Sequence, residues 1–105
     1  MDTLGIGGDE PILAWVNPDL EELAPQYLKT LAQSADTMME SLASSDFATV
    51  RTLGHRMKGE GNAFGFEAVS RLGAVIEDAA VRQNSEKISE YVEKLRDFLN
   101  RVEIV

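Results

Sequence analysis

The chain has no cysteine and only one histidine among its 105 residues. The missing cysteines exclude disulfides, thiolate-bound metals and cysteine nucleophiles. Basic residues are also few: ten lysines and arginines stand against eighteen acidic residues, which gives a formal net charge of -8. Nucleic acids and anionic membrane surfaces repel such a chain at long range. We therefore expect neither as a partner.

Long apolar runs are absent as well. The longest one near the N-terminus, Ile12 to Val16, is far too short to cross a bilayer. The N-terminus has neither a basic leader nor the apolar stretch of a signal peptide, which predicts a cytoplasmic protein. Three glycines among the first eight residues predict a flexible lead-in over residues 1–11. The remaining length, residues 12–105, suits one folded domain.

What the chain does have is helical patterning. Asn17 and Pro18 predict the start of a short helix, and Pro25 ends it and opens the next one. Four longer segments follow, each with apolar residues three or four positions apart. The predicted inward residues are Leu28, Leu31, Ala35, Met38 and Leu42, then Phe47, Val50, Leu53, Met57 and Phe64, then Phe66, Val69, Leu72, Ile76 and Ala80, and finally Ile88, Tyr91, Val92, Leu95, Phe98, Leu99 and Val102.

Short breaks separate these four segments. Ser44 and Ser45 interrupt the chain and offer an N-cap for the third helix, Gly65 ends that helix, and Asn84 offers a cap for the last. No segment shows the sustained alternation of a strand, and short connections make neighbouring helices antiparallel. The predicted fold class is all-α: an up-down antiparallel four-helix bundle with a short additional N-terminal helix. Such a bundle closes its own core, so we expect a monomer.

The third helix stands out by its glycines, Gly54, Gly59 and Gly61. A glycine inside a helix costs about 1 kcal/mol relative to alanine, so some benefit should offset three of them. At about 100° per residue, Gly54 and Gly61 fall on the inner side, where the missing side chain lets helices approach closely. Gly59 has no such packing reason.

His55 falls about 160° from the centre of this helix's apolar stripe, so it should project outward. The neighbours expected on its exposed face are Ala48, Arg51, Thr52, Lys58, Gly59 and Asn62. A neutral imidazole is a nucleophile towards phosphorus. Lys58, at i+3, could balance the charge of a phosphoryl group, and Arg51 at i-4 and Asn62 at i+7 could assist. The bare surface at Gly59 would leave an in-line approach to the P–N bond open.

These residues carry a resemblance to a known family. The run His55-Arg56-Met57-Lys58-Gly59, followed by Gly61, Phe64 and Gly65, resembles the signature of bacterial histidine-phosphotransfer (HPt) domains. Flanking segments also match, namely Asn17 to Leu23, Asp46-Phe47, Leu72-Gly73 and Val102 to Val105. The resemblance covers nearly everything from about residue 12 onward. Glu60 and Gly61 replace small residues that are often serine in the family, and Gly54 stands where alanine is usual. By the angular count Glu60 points away from His55.

The resemblance implies a phosphorelay intermediate of two-component signalling, a phosphoryl carrier without kinase activity of its own. His55 would accept a phosphoryl group from an aspartyl-phosphate on a receiver domain and pass it to another receiver domain. The partners would be response regulators, a hybrid sensor histidine kinase, or both. The Mg²⁺ of the transfer would belong to the receiver, so no cofactor or metal is expected here. The predicted partner-binding residues are Arg51, Arg56, Asn62, Thr52 and Ala48.

Plainer interpretations stand beside these. A basic residue on a helix face is often only solvated, which applies to Arg51 and Arg56, and Asn62 could simply end its helix. The rival function is a non-phosphorylated helical adaptor that docks a receiver domain or a partner helix. A small metal- or substrate-processing enzyme is disfavoured by the single histidine and the lack of cysteine. No pair of carboxylates combines a buried setting with ligand spacing near His55, so the many carboxylates are expected to form a solvated surface that favours solubility.

Overall fold

The structure, a computed structural model, describes residues 10–105. The lead-in predicted for residues 1–11 therefore lies almost wholly outside the described residues. The elements in chain order are strand β1 (Ile12–Ala14), a 3₁₀ helix (Pro18–Leu23), α1 (Ala24–Ala43), α2 (Phe47–Phe64), α3 (Glu67–Val81), α4 (Ser85–Arg101) and strand β2 (Val102–Ile104).

The four long helices form the predicted all-α bundle. Only residues 44–46, 65–66 and 82–84 connect them, so consecutive helices run in opposite directions. The helix α2 packs against α1 and α3, and α4 packs against the same two, which puts α2 and α4 across the bundle from each other. The predicted stripes form the core, in which the largest fully buried side chains include Leu31, Met38, Val50, Met57, Val69, Ile76, Ile88 and Leu95.

Caps define where the helices begin. The predicted N-cap of α4 is confirmed, because the Asn84 side chain accepts a hydrogen bond from the Lys87 backbone N–H at 3.1 Å. The serine cap predicted for α2 is wrong: Asp46 caps this helix, and its carboxylate accepts from the Thr49 backbone N–H at 3.1 Å. The hydrogen bond from the Thr49 hydroxyl, followed by that from its N–H, lowers the pKa of Asp46. The cap therefore holds its negative charge at the helix N-terminus, where it is favoured.

The C-terminal end of α2 is fixed from several sides. Gly65 follows it in the left-handed conformation, with φ 96°, and its N–H bonds back to the last turn. The Asn17 backbone N–H donates to the Phe64 carbonyl at 2.7 Å, which joins the N-terminal segment to this end. The Phe64 ring stacks on Tyr27 of α1 with 4.3 Å between ring centroids. These contacts hold the helix that carries His55.

Two short strands were not expected. They pair in parallel, with Ile12 opposite Val102 and Ala14 opposite Ile104. Val102 packs against the core as predicted, but it lies in β2 and not in the last helix, since α4 ends one residue earlier. Strands of three residues are too short to show an alternating pattern, and their pairing depends on residues at opposite ends of the chain.

The segment from Ile12 to Val16 packs against the bundle as predicted. Ala14 is buried, and Ile12 and Val16 are partly buried against the core. Leu13 and Trp15 point the other way and are exposed. No helix in the described part of the chain is long and apolar enough to span a bilayer.

Candidate functional site

The helices α2 and α3 approach each other as closely as backbones allow. A Cβ atom added to Gly54 would lie 2.8 Å from the Glu77 backbone nitrogen, and one added to Gly61 would lie 2.7 Å from that of Ser70. A Cβ on Gly73 of α3 would lie 2.6 Å from a backbone nitrogen of α2. Such short separations leave no room for a side chain. The predicted packing role of Gly54 and Gly61 is confirmed, and Gly73 supplies the matching surface.

This close approach brings a carboxylate to the histidine. Glu77 Oε2 lies 2.8 Å from His55 Nδ1, and Glu77 Oε1 lies 2.9 Å from Lys58 Nζ. The His55 side chain is 68% exposed, so it projects outward as the angular count predicted, whereas the Glu77 side chain is only 19% exposed. One carboxylate therefore holds both the imidazole and the ammonium group, and it leaves the rest of the imidazole ring to solvent.

The protonation state of this cluster follows from its hydrogen bonds. The bond from Lys58, and then the bond from His55, lowers the pKa of the Glu77 carboxyl, which is therefore ionised at neutral pH. An ionised carboxylate can only accept hydrogen bonds, so Nδ1 of His55 carries the proton. In the neutral imidazole the lone pair then lies on Nε2. The cluster presents one ring nitrogen as a nucleophile and fixes the other.

Glu77 was not among the predicted site residues. The expectation that the carboxylates form a solvated surface is wrong at this residue, whose side chain is only 19% exposed. Glu77 lies 22 positions from His55, on another helix. Spacing rules within one helix cannot relate two such residues. A signal was present in Gly73, because a glycine one turn before Glu77 marks the side of α3 that a neighbouring helix approaches.

The five predicted partner-binding residues fall into two groups, according to whether they line a groove beside His55. A shallow groove of about 380 Å³ beside the histidine is lined by Ala48, Arg51, Thr52, His55 and Glu77. The second group, Arg56 and Asn62, does not line this groove. The structure therefore brings three of the five predicted partner-binding residues to the imidazole.

Four positions that the sequence analysis singled out, Arg56, Gly59, Glu60 and Asn62, do not line this groove. Arg56 lines a separate shallow depression. Asn62 is exposed within the last turn of α2, and its backbone carbonyl accepts a hydrogen bond from the Gly65 N–H at 3.1 Å, while Gly65 is the residue that caps the helix. Gly59 is exposed, and a Cβ there would meet no atom within 4 Å. Burial, followed by the charge of Glu60, raises the pKa of Tyr27, which places Glu60 towards α1.

Comparison with known proteins gives one match. The family model described as the Hpt domain matches residues 20–104, from the 3₁₀ helix to the end of β2. Comparison with curated proteins and with solved structures gave no match. Hpt domains carry phosphoryl groups in two-component signalling and are not kinases. Because the match spans all four helices and the cluster around His55, the chain belongs to the Hpt domain family.

Proposed function

We propose that the protein is a cytoplasmic phosphorelay intermediate. His55 accepts a phosphoryl group from the aspartyl-phosphate of one receiver domain and passes it to another. The observation that carries this proposal is the pairing of His55 Nδ1 with Glu77 at 2.8 Å, while the His55 side chain remains 68% exposed. This pairing leaves Nε2 as the nitrogen that reacts.

The transfer balances without a co-reactant from this chain. The Nε2 lone pair attacks phosphorus, and the P–O bond to the aspartyl group breaks with its electron pair leaving on the carboxylate. The proton stays on Nδ1, so the ring becomes a phosphoimidazolium with one positive charge. The Glu77 carboxylate lies 2.8 Å from that proton and stabilises the positive charge. In the reverse step an acceptor aspartate attacks phosphorus, and the neutral imidazole leaves with the electron pair.

Lys58 and Gly59 complete the proposed site. The Lys58 ammonium group lies on the same helix face as His55 and shares its carboxylate partner. It balances part of the negative charge that the phosphoryl group brings. Gly59 leaves the surface one turn beyond His55 uncovered, which lets a receiver's aspartate approach in line with the P–N bond.

The proposed partners are receiver domains of response regulators or of a hybrid sensor histidine kinase. The described residues include no group of three or more histidine and carboxylate side chains that could hold a metal ion. That Mg²⁺ enters with the receiver domain, and that the protein needs no cofactor of its own, stay predictions. The partner-contacting roles of Ala48, Arg51, Thr52, Arg56 and Asn62 are proposals of the same kind.

The test incubates the purified protein with a receiver domain that carries a radioactive aspartyl-phosphate. We expect the wild type to gain label that acid removes and base does not, as phosphohistidine requires. His55→Gln should gain none. Gly59→Arg should keep its helix content but gain label about tenfold more slowly, since a long side chain obstructs the approach.

Two outcomes would contradict parts of the proposal. A wild type that binds the receiver domains of its own organism but takes label from none of them would favour the non-phosphorylated adaptor. Label retained by His55→Gln would disprove the site while leaving the relay in place.

A further inference from the structure

The charges around His55 leave a phosphoryl group incompletely balanced. Lys58 and Glu77 form an ion pair at 2.9 Å, so their charges largely cancel. A phosphoryl group adds about -1.5 to -2 at neutral pH. The lysine that the family signature contains is therefore engaged before the phosphoryl group arrives. A second cation near the imidazole would restore the balance.

Arg51 has the position and freedom for that role. Arg51 lines the groove that His55 and Glu77 also line, whereas Lys58 does not line this groove. Within residues 10–105 no carboxylate forms an ion pair with Arg51. Arg51 lies four residues before His55 in α2, and residues four apart are neighbours on one helix surface. The arginine is thus a neighbour of the imidazole that would carry the phosphoryl group.

The other polar group of the groove cannot serve as well. The Thr52 hydroxyl donates to the Ala48 carbonyl at 3.1 Å, so its hydrogen is already used. Arginine presents several N–H groups in a planar fork that matches phosphate oxygens. Among the residues that line the groove, Arg51 is the one that offers donors and positive charge together.

We propose that Arg51 contacts the phosphoryl group on His55 and, with Lys58, balances its charge during transfer. This inference rests on the phosphorylation of His55 in the proposed function. It assigns Arg51 a direct contact with the phosphoryl oxygens, which is more than a place in the docking surface. The consequence is measurable in the protein alone, before any receiver domain binds.

The experiment phosphorylates His55 with phosphoramidate, a small donor that transfers its phosphoryl group to imidazole nitrogen. The ³¹P resonance is then followed as a function of pH. A nearby cation favours the dianionic phosphoryl group, so Arg51→Ala should raise the titration midpoint by about half a pH unit. Arg51→Lys keeps the charge but loses the fork, and should give an intermediate midpoint.

Lys87→Ala is the matched control. Lys87 is exposed at the start of α4, across the bundle from α2, and its removal changes the net charge of the protein by the same amount. Its midpoint should equal that of the wild type. Transfer from a phosphorylated receiver domain should be about fivefold slower in Arg51→Ala than in Lys87→Ala.

The outcomes separate this inference from the proposed function. An Arg51→Ala midpoint equal to that of the control, or slower transfer with an unchanged midpoint, would disprove the phosphoryl contact and leave the relay standing. Label from phosphoramidate but from no receiver domain, with the midpoint shifted, would disprove the relay and support the contact. A wild type that is phosphorylated neither by phosphoramidate nor by any receiver domain would overturn both. If Arg51→Ala loses helix content, Arg51→Gln replaces it in the same comparison.

Discussion

The carboxylate of Glu77 has two hydrogen-bond partners, His55 and Lys58, and the charge of only one of them changes during the proposed reaction. Lys58 keeps its charge throughout, while the His55 ring gains a positive charge when Nε2 bonds to phosphorus. The carboxylate is therefore a positioning residue that becomes more strongly bound to the ring as the product forms. Because its pKa is lowered on folding, its contacts stabilise the protein above the ordinary carboxyl pKa range. That stability is lost as the pH falls through the lowered pKa.

Replacing Glu77 with glutamine tests this role. The amide oxygen can still accept the Nδ1 hydrogen bond, but the negative charge is lost, so the phosphoimidazolium is less stable. We expect Glu77→Gln to be phosphorylated about tenfold more slowly than the wild type by the same receiver domain. The measurement is the initial rate of labelling, with circular dichroism to confirm the fold. An unchanged rate for Glu77→Gln would show that the carboxylate contributes no charge stabilisation.

The sequence predicted those parts of the site that depend on one helix. The outward direction of His55 and the inward direction of Gly54 and Gly61 follow from a fixed angle per residue, so α2 alone determines them. The position of the Glu77 carboxylate beside His55 depends on how closely α2 and α3 pack. The spacing of apolar residues within one helix does not reveal that separation. Arg51 and Lys58 were predicted on the exposed helix face beside His55, but the ion pair of Lys58 with Glu77 was not predicted.

At the scale of the element, the glycines of α2 divide into two kinds. Gly61 is buried against α3, where a Cβ would lie 2.7 Å from the Ser70 backbone nitrogen. Gly59 is exposed, and a Cβ there would meet nothing within 4 Å. The same substitution should therefore have opposite effects two residues apart in one helix.

We expect Gly59→Ala to stabilise the protein by up to about 1 kcal/mol, since alanine favours the helix and meets no neighbour. Gly61→Ala should destabilise it by about 2 kcal/mol, because backbone atoms of α3 must move. Urea unfolding of the two variants beside the wild type measures both effects. Stabilisation by both substitutions would mean that α2 and α3 can separate without cost, and destabilisation by both would mean that Gly59 has a packing role.

Helix positions were predictable because amphipathic spacing repeats over many residues. The strands β1 and β2 were not, since each has three residues and is stabilised by its partner from the other end of the chain. The cap of α2 was placed one or two residues early, at Ser44 and Ser45, because serine and aspartate are both favourable caps. Asp46 is the residue whose carboxylate reaches the Thr49 N–H.

At the scale of the whole molecule, the pairing of β1 with β2 joins the two ends of the described chain. The Val105 N–H donates to the Ala14 carbonyl at 3.0 Å, and the Arg101 guanidinium donates to the Glu10 carbonyl at 2.8 Å. The joined segments continue through Asn17 to the C-terminal end of α2. The strands therefore support the helix that carries His55 from outside the four-helix core.

Deleting residues 102–105 tests how far this support extends. Because β1 has β2 as its pairing partner, we expect amides of Ile12 to Ala14 to lose protection from hydrogen exchange. The free energy of unfolding should fall by about 1 to 2 kcal/mol, and labelling of His55 should continue, since α2 and α3 retain their contacts. Hydrogen exchange followed by mass spectrometry measures the protection. Full protection of the first strand in the shortened protein would mean that the bundle alone holds it.

The contact of α2 with α3 through glycine also makes the site sensitive to small dimensional errors. The distance between the His55 imidazole and the Glu77 carboxylate depends on two helix backbones that are in direct contact. These two side chains can therefore compensate for only a small movement of α2 relative to α3. A methyl group on Gly54 or Gly73 would lie 2.8 Å or less from a backbone nitrogen of the other helix, so backbone atoms of α2 or α3 would have to move. Phosphoryl transfer would then be impaired by substitutions at residues that touch neither the phosphoryl group nor the receiver domain, because they would change the distance between His55 and Glu77.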